Sequence, residues 1–323
     1  MSTQQLVLRL VVVSSMSMLL VSSFGQGSGP KSLAEQLGYS RSDKLLIVHA
    51  DDAGMAHSVN VATFDALATG QVNSASIMVP CAWLKEVADL AKSQPGADLG
   101  LHLTLTSEWH PYRWGPVASR TDVPSLVSSL GYFYTIREAL AHMDPREVEI
   151  ELKAQIQMAR AMGIEPTHLD SHQLLLFFRP QLFETYLKVG RESGLPVLLA
   201  RGIFSLIRQR MGDSAPDYES FLQPGDFVIN DVLSITPEEA PNGWPTFYEK
   251  ALANLKPGVT ELIVHVGVDS EEMRAMAGDG SFGASWRQKE FDFLTSPQFG
   301  ELLKKHEIKL ITWRDIANLK KER

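Results

Sequence analysis

The sequence predicts an α/β fold, a distorted (β/α) TIM-like barrel in a single domain, and three observations lead there. From residue 44 onward, apolar runs of strand length alternate with amphipathic helical stretches, the pattern of a parallel sheet with helices outside it. Polar residues end several of those runs rather than one, which favours strands converging on a barrel mouth over a sheet with one switch point. No repeat or low-complexity linker divides the chain after residue 31, and roughly 300 residues suit one large domain.

In chain order, strands are expected near 44–50, 72–79, 98–105, 165–170, 195–200, 226–230, 259–265 and 308–313. Helices are expected near 57–69, 83–93, 145–162, 180–193, 245–255, 284–305 and 314–321, several of them ended by Gly or Pro. Two long connections break the rhythm. The first runs from Thr106 to Tyr132 and carries Glu108, Trp109, Tyr112, Arg113 and Trp114. Aromatics beside polar groups on a loop that follows a barrel strand suit a sugar ring, although packing against the barrel is as common a fate for them. The second, Asp269 to Ala284, is glycine-rich and reads as a mobile lid or an irregular loop.

Ahead of the domain, Met1 to Arg9 carries one positive charge before an apolar, Ser- and Met-rich run from Leu10 to Val21 and a polar stretch from Ser22 to Lys31. That order, with small Ser23 and Gly25 before Gln26, resembles a secretory signal peptide. The run is shorter than the ~20 residues that span a bilayer, so no permanent membrane span is expected. The division is then a signal peptide at 1–25, an N-terminal extension at 26–43 and the barrel at 44–323, with the protein exported to the periplasm or beyond.

Cys81 is the only cysteine, which excludes an intrachain disulfide framework and a thiolate-rich metal site. With 38 acidic against 30 basic residues the net charge is −8. No Lys/Arg cluster offers a face to nucleic acid, and polyanionic substrates are disfavoured. A small molecule or oligosaccharide fits better, and homo-oligomerisation stays open.

The first strand runs Leu45-Leu46-Ile47-Val48-His49-Ala50 into Asp51 and Asp52. Adjacent carboxylates at the end of a buried strand repel each other and need a cation or donors to offset desolvation. An N-cap pair would be the ordinary reading of the two acids alone. Of nine histidines, five lie within or at the end of apolar runs: His49, His102, His168, His172 and His265. Any one of them could be a satisfied core residue, but together with the two acids they suggest one site. One carboxylate and two imidazoles hold a divalent ion, Mg or Zn, with positions left open. Asp52, His102 and His172 fit that need. Asp51 would then be a general base toward water and His265, from a late strand, a general acid. Asp170 could hold a histidine tautomer, and spacing alone does not rank His168 against His172 as ligand.

Val48-His49-Ala50-Asp51-Asp52-Ala53-Gly54, Gly100-Leu101-His102-Leu103-Thr104-Leu105-Thr106 and Thr167-His168-Leu169-Asp170-Ser171-His172-Gln173 resemble, in order and separation, the three signature motifs of the YdjC-like carbohydrate deacetylases. The resemblance runs from about Lys44 to Gln173 and more weakly to Trp313. It implies a distorted barrel related to the NodB-type polysaccharide deacetylases and metal-dependent hydrolysis of N-acetyl groups on amino sugars. Residue by residue it implies Asp52, His102 and His172 as ligands and Asp51 as base. The chain departs from the pattern at Gln173-Leu174-Leu175-Leu176, where many members carry further histidines. An O-acetyl esterase and a catalytically silent carbohydrate-binding barrel are the rival readings.

Overall fold

The computed structural model describes residues 30–321; the expected signal peptide lies outside them. Strand β1 (Lys44–Ala53) is the centre of a wholly parallel sheet. β2 (Ser74–Ile77), β3 (Leu99–Leu103) and β4 (Leu169–Ser171) follow on one side, and β6 (Gly258–Val264) then β5 (Asp231–Leu233) on the other. β7 (Ile308–Leu310) pairs with the first half of β1, from Lys44 to Leu46, and β2 takes over from His49. Asn73 bridges the handover: its Oδ1 accepts from Val48 N at 2.9 Å and its Nδ2 donates to the Ile311 carbonyl at 2.8 Å. Leu45 to Val48 are buried completely, as a strand covered on both faces requires.

The helices are α1 (Leu33–Gln36), α2 (His57–Ala68), α3 (Leu84–Ser93), α4 (Ile136–His142), α5 (Pro145–Ala161), α6 (Pro180–Ser193), α7 (Arg201–Met211), α8 (Trp244–Ala253), α9 (Glu271–Ala277), α10 (Ala284–Leu294), α11 (Pro297–Lys305) and α12 (Trp313–Lys321). Their boundaries follow local chemistry. Asp144 caps α5 by accepting from Arg146 N, with Pro145 in the first turn, and Gly194 in the left-handed region closes α6. No helix among the described residues is long and apolar enough to cross a membrane.

The expected α/β architecture is present, with a difference in closure. The sheet is a curled parallel one and not a regular eight-stranded barrel. Residues 195–200 are extended but make only isolated bridges, Leu169 to Val197 on one side and Ala200 to Ile229 on the other, because within four residues the segment passes from one neighbour to the next. The ladder expected at 226–230 forms at Asp231–Leu233 instead, and β7 stops at Leu310 because α12 begins at Trp313. The helix expected over 284–305 is two: α10 ends at Leu294, and Pro297, which cannot continue a helix, opens α11. The glycine-rich connection holds α9.

Candidate active site

In a regular strand Asp51 and Asp52 would point to opposite faces. They do not, because β1 carries one extra residue: Ala50 pairs with Ala75 and Ala53 with Ile77, three residues against two. Asp52 takes the left-handed conformation at φ 73°, which Asp tolerates better than most residues. The bulge, a device that re-aims side chains beside active sites, brings both acids to one place.

Three donor atoms converge there. Asp52 Oδ1 lies 3.6 Å from His102 Nε2 and 3.7 Å from His172 Nδ1, and the two ring nitrogens are 3.0 Å apart. All three residues are buried, their donor atoms lie within 4.8 Å of one another, and Asp52 Oδ1 has no hydrogen-bond partner. A buried carboxylate oxygen without a donor is costly, and two imidazoles with one carboxylate suit a divalent cation. The residues therefore fit a metal. The ligand-bearing rings are backed from behind: Asp170 Oδ1 is 2.6 Å from His102 Nδ1, and Glu108 Oε2 is 3.2 Å from His172 Nε2. Carboxylates in these places fix which ring nitrogen is free to bind.

The other oxygen of Asp52 is taken by Arg287 Nη2 at 2.6 Å. Arg287 comes from α10 and is itself buried, and its Nε donates to the Phe282 carbonyl at 2.8 Å. Three residues along the same helix face, Glu290 accepts from His265 N at 3.0 Å and from Tyr248 Oη. His265 follows β6 directly, packs its ring edge-to-face on Phe282 at 4.7 Å, and sets Nε2 3.9 Å from Asp51 Oδ2.

Burial and charge work against each other here. Burial would raise Asp52, but Arg287 and the neighbouring histidines hold its carboxyl well below the usual carboxylate range. Burial pushes Asp51 up to about 6, with His102 opposing and Asp170 reinforcing the rise. Burial would depress His102, yet Asp51, Asp170 and Asp52 raise it to about 10, so the carboxylates create a strong demand for positive charge. Burial pushes His265 down to about 3, leaving it a neutral imidazole at ordinary pH.

The remaining expected residues divide. Glu108 and Asp170 touch the ligand-bearing rings. Trp109 is half-buried on the loop after β3. Trp114 offers no ring to a sugar: it is 4 % exposed and its indole N–H donates to the Thr106 carbonyl at 2.7 Å, so it packs the loop onto the sheet. His168 lies away from the triad, fully buried, stacked on Trp313 at 5.0 Å and hydrogen-bonded to Thr167. Gly100 makes room for it, since a Cβ there would stand 2.3 Å from His168 Cε1. After His172 the chain turns through two left-handed residues, Gln173 and Leu174, and the Gln173 side chain accepts from Thr106 Oγ1 at 3.0 Å. Arg287, Glu290 and Phe282 carry no motif. Glu261, a lone acid immediately before the apolar run Leu262-Ile263-Val264, is a legible signal of a further buried group.

The chain is similar to known proteins along most of its length. A carbohydrate deacetylase of Thermus thermophilus is 35 % identical over 290 residues, covering 88 % of this chain and 97 % of the relative. A chitooligosaccharide deacetylase of Yersinia enterocolitica is 30 % identical over 161 residues, 49 % of this chain and 60 % of that one. A solved structure from Enterococcus faecalis V583, of a protein provisionally assigned to cellobiose-phosphate cleavage, is 25 % identical with a TM-score of 0.72, covering 85 % of this chain and all of that one. The family profile described as YdjC-like protein matches residues 45–305, and the chain belongs to that family.

Proposed function

We propose that the protein is a metal-dependent hydrolase that removes acetyl groups from N-acetylated amino sugars or their oligosaccharides. The reading rests above all on one juxtaposition, the Asp52, His102 and His172 donor atoms converging beside a second acid, Asp51, whose Oδ2 lies 3.7 Å from His102 Nε2. Asp52, His102 and His172 would hold the ion, and their two nitrogens favour zinc over magnesium. When bound, a divalent cation acidifies water and polarises a carbonyl.

The chain supplies the proton traffic. Asp51, raised by burial toward neutral pH, takes the proton of the attacking water; a base is most effective when its pKa lies near the working pH. The neutral ring of His265 relays that proton from Asp51 through Nε2 to the departing amine nitrogen as the carbon–nitrogen bond breaks. With Asp51 Oδ2 3.9 Å from His265 Nε2, the relay returns Asp51 to its carboxylate and His265 to its neutral form, and water and amide become acetic acid and amine, which part as acetate and ammonium. Arg287 holds Asp52 in its ionised form. The relatives named carbohydrate and chitooligosaccharide deacetylase support the substrate class.

The test is acetate release from N-acetylglucosamine, its oligomers and O-acetylated sugars, after chelation and with Zn, Mg, Mn or Co returned. Release from the amides that depends on metal is expected. Release from esters alone would replace the amide reading, and no release from any substrate would overturn it.

A further inference from the structure

Below the mouth lies a buried polar column that the hydrolysis above does not use. His49 sits on β1 two residues before Asp51 and is completely buried. Its Nε2 stands 3.1 Å from Asp170 Oδ2 and 3.3 Å from Asp51 Oδ1, between the two and in line with neither. Its Nδ1 stands 3.0 Å from Ser74 Oγ on β2 and 3.7 Å from Glu261 Oε1 on β6. The same two carboxylates turn their other oxygens toward the site: Asp170 Oδ1 reaches His102 Nδ1 at 2.6 Å, and Asp51 Oδ2 lies 3.7 Å from His102 Nε2 and 3.9 Å from His265 Nε2.

We infer that His49 is a positioning residue whose single Nε2–H, shared by Asp51 and Asp170, sets the direction of the base and of the carboxylate that orients His102. The proton belongs on Nε2, because a bare lone pair facing two carboxylate oxygens at 3.1 and 3.3 Å would be repulsive in a dry interior. Ser74 Oγ is then the partner of Nδ1, the other ring nitrogen, at 3.0 Å. A carboxylate turns readily about its last torsion, which is broad, so without a donor behind them neither acid has a fixed oxygen to present. A histidine serving only as packing would not need to meet acids from three strands, as His49 meets Asp51, Asp170 and Glu261. The kinetic half of this inference rests on the deacetylase reading; the metal-binding half does not.

Two variants of the full chain separate a shared N–H from bulk. His49→Gln carries an amide N–H about as far along the side chain as Nε2, whereas His49→Leu keeps a comparable volume and has no donor. His49→Leu is expected to lower kcat by roughly 10–100-fold with KM changed less than about 3-fold, and to weaken Zn²⁺ binding in calorimetry by about 10-fold, the scale for loss of a group that orients a ligand. His49→Gln should recover both quantities to within about 5-fold of wild type on the same scale. If His49→Leu does not fold, His49→Asn takes its place, since its shorter amide reaches Ser74 and not the carboxylates. Anything short of recovery by Gln in both readouts, or wild-type behaviour of the donor-free variant, overturns the inference. Should wild type release no acetate from any sugar, the deacetylase reading falls alone, and the Zn²⁺ affinities still decide the role of His49.

Discussion

Arg287→Met tests how the site is held together without its ion. Met keeps much of the side-chain volume but leaves Asp52 Oδ2, now 2.6 Å from Arg287 Nη2, as a buried charge with no partner. Removing one member of a buried pair costs about 3–5 kcal/mol, and the lost hydrogen bond to the Phe282 carbonyl adds about 1 kcal/mol. At roughly 2–4 °C per kcal/mol for a domain of this size or somewhat smaller, the chelated protein should melt about 8–24 °C lower than wild type. Zinc should return part of the loss, because a cation on Oδ1 compensates the same carboxylate. At a concentration about 100 times its dissociation constant it contributes about 2.7 kcal/mol. Differential scanning calorimetry with and without EDTA measures both quantities. A chelated Arg287→Met protein that melts within about 2 °C of wild type would refute the reasoning, because Asp52 would then have to be neutral or hydrated in the folded state.

Other outcomes follow from the same geometry. His102→Ala and His172→Ala should each abolish zinc binding by calorimetry, whereas His168→Ala should retain it and lose about 2–4 kcal/mol of stability to the cavity beside Trp313. Asp51→Asn should keep the metal and lose roughly 10²–10⁴ in turnover; loss of the metal instead would make Asp51 a ligand. His265→Ala should reduce turnover by a similar factor on an N-acetyl sugar and much less on an activated aryl acetate, whose leaving group needs no proton; equal losses would assign the proton to another group. Burial pushes Glu261 up to about 8, so its proton, kept in the fold, is released on unfolding at any pH above the ordinary glutamate range. Its contribution is complete below about pH 4.3 and is lost as pH rises toward 8, with a slope near 1.4 kcal/mol per pH unit between them. Glu261→Gln should flatten that part of the stability profile in denaturant titrations from about pH 5 to 8; an unchanged slope would mean that Glu261 is ionised in the fold.

What the sequence discloses about the site is what an apolar strand cannot hide. Asp51, Asp52, His102, Asp170 and His172 each interrupt or end a run whose other members are buried, and a polar group in such a place must have a partner. Arg287 gives no such signal: within Ala-Ser-Trp-Arg-Gln-Lys-Glu it resembles any solvated helix position, and only the docking of α10 turns it inward. Trp114 misleads for a related reason, because an aromatic on a loop has the same sequence signature whether it meets a sugar or closes the loop with its own N–H. The segment at 195–200 reads as a strand because Pro196-Val197-Leu198-Leu199 is apolar, yet ladder formation depends on neighbours that lie far away in the chain.

The extra residue in β1 also bears on how that strand finds its place. A regular parallel strand can slide by two positions along its neighbours and keep the same side chains inside. β1 cannot, since beyond Ala50 its inward and outward positions are exchanged relative to β2. A shifted alignment would set the odd residue against a part of β2 where the ladder needs regular pairing. The irregularity that gathers two acids therefore also excludes the misaligned sheets, and the strand with the most chemistry on it has the least latitude in where it can settle.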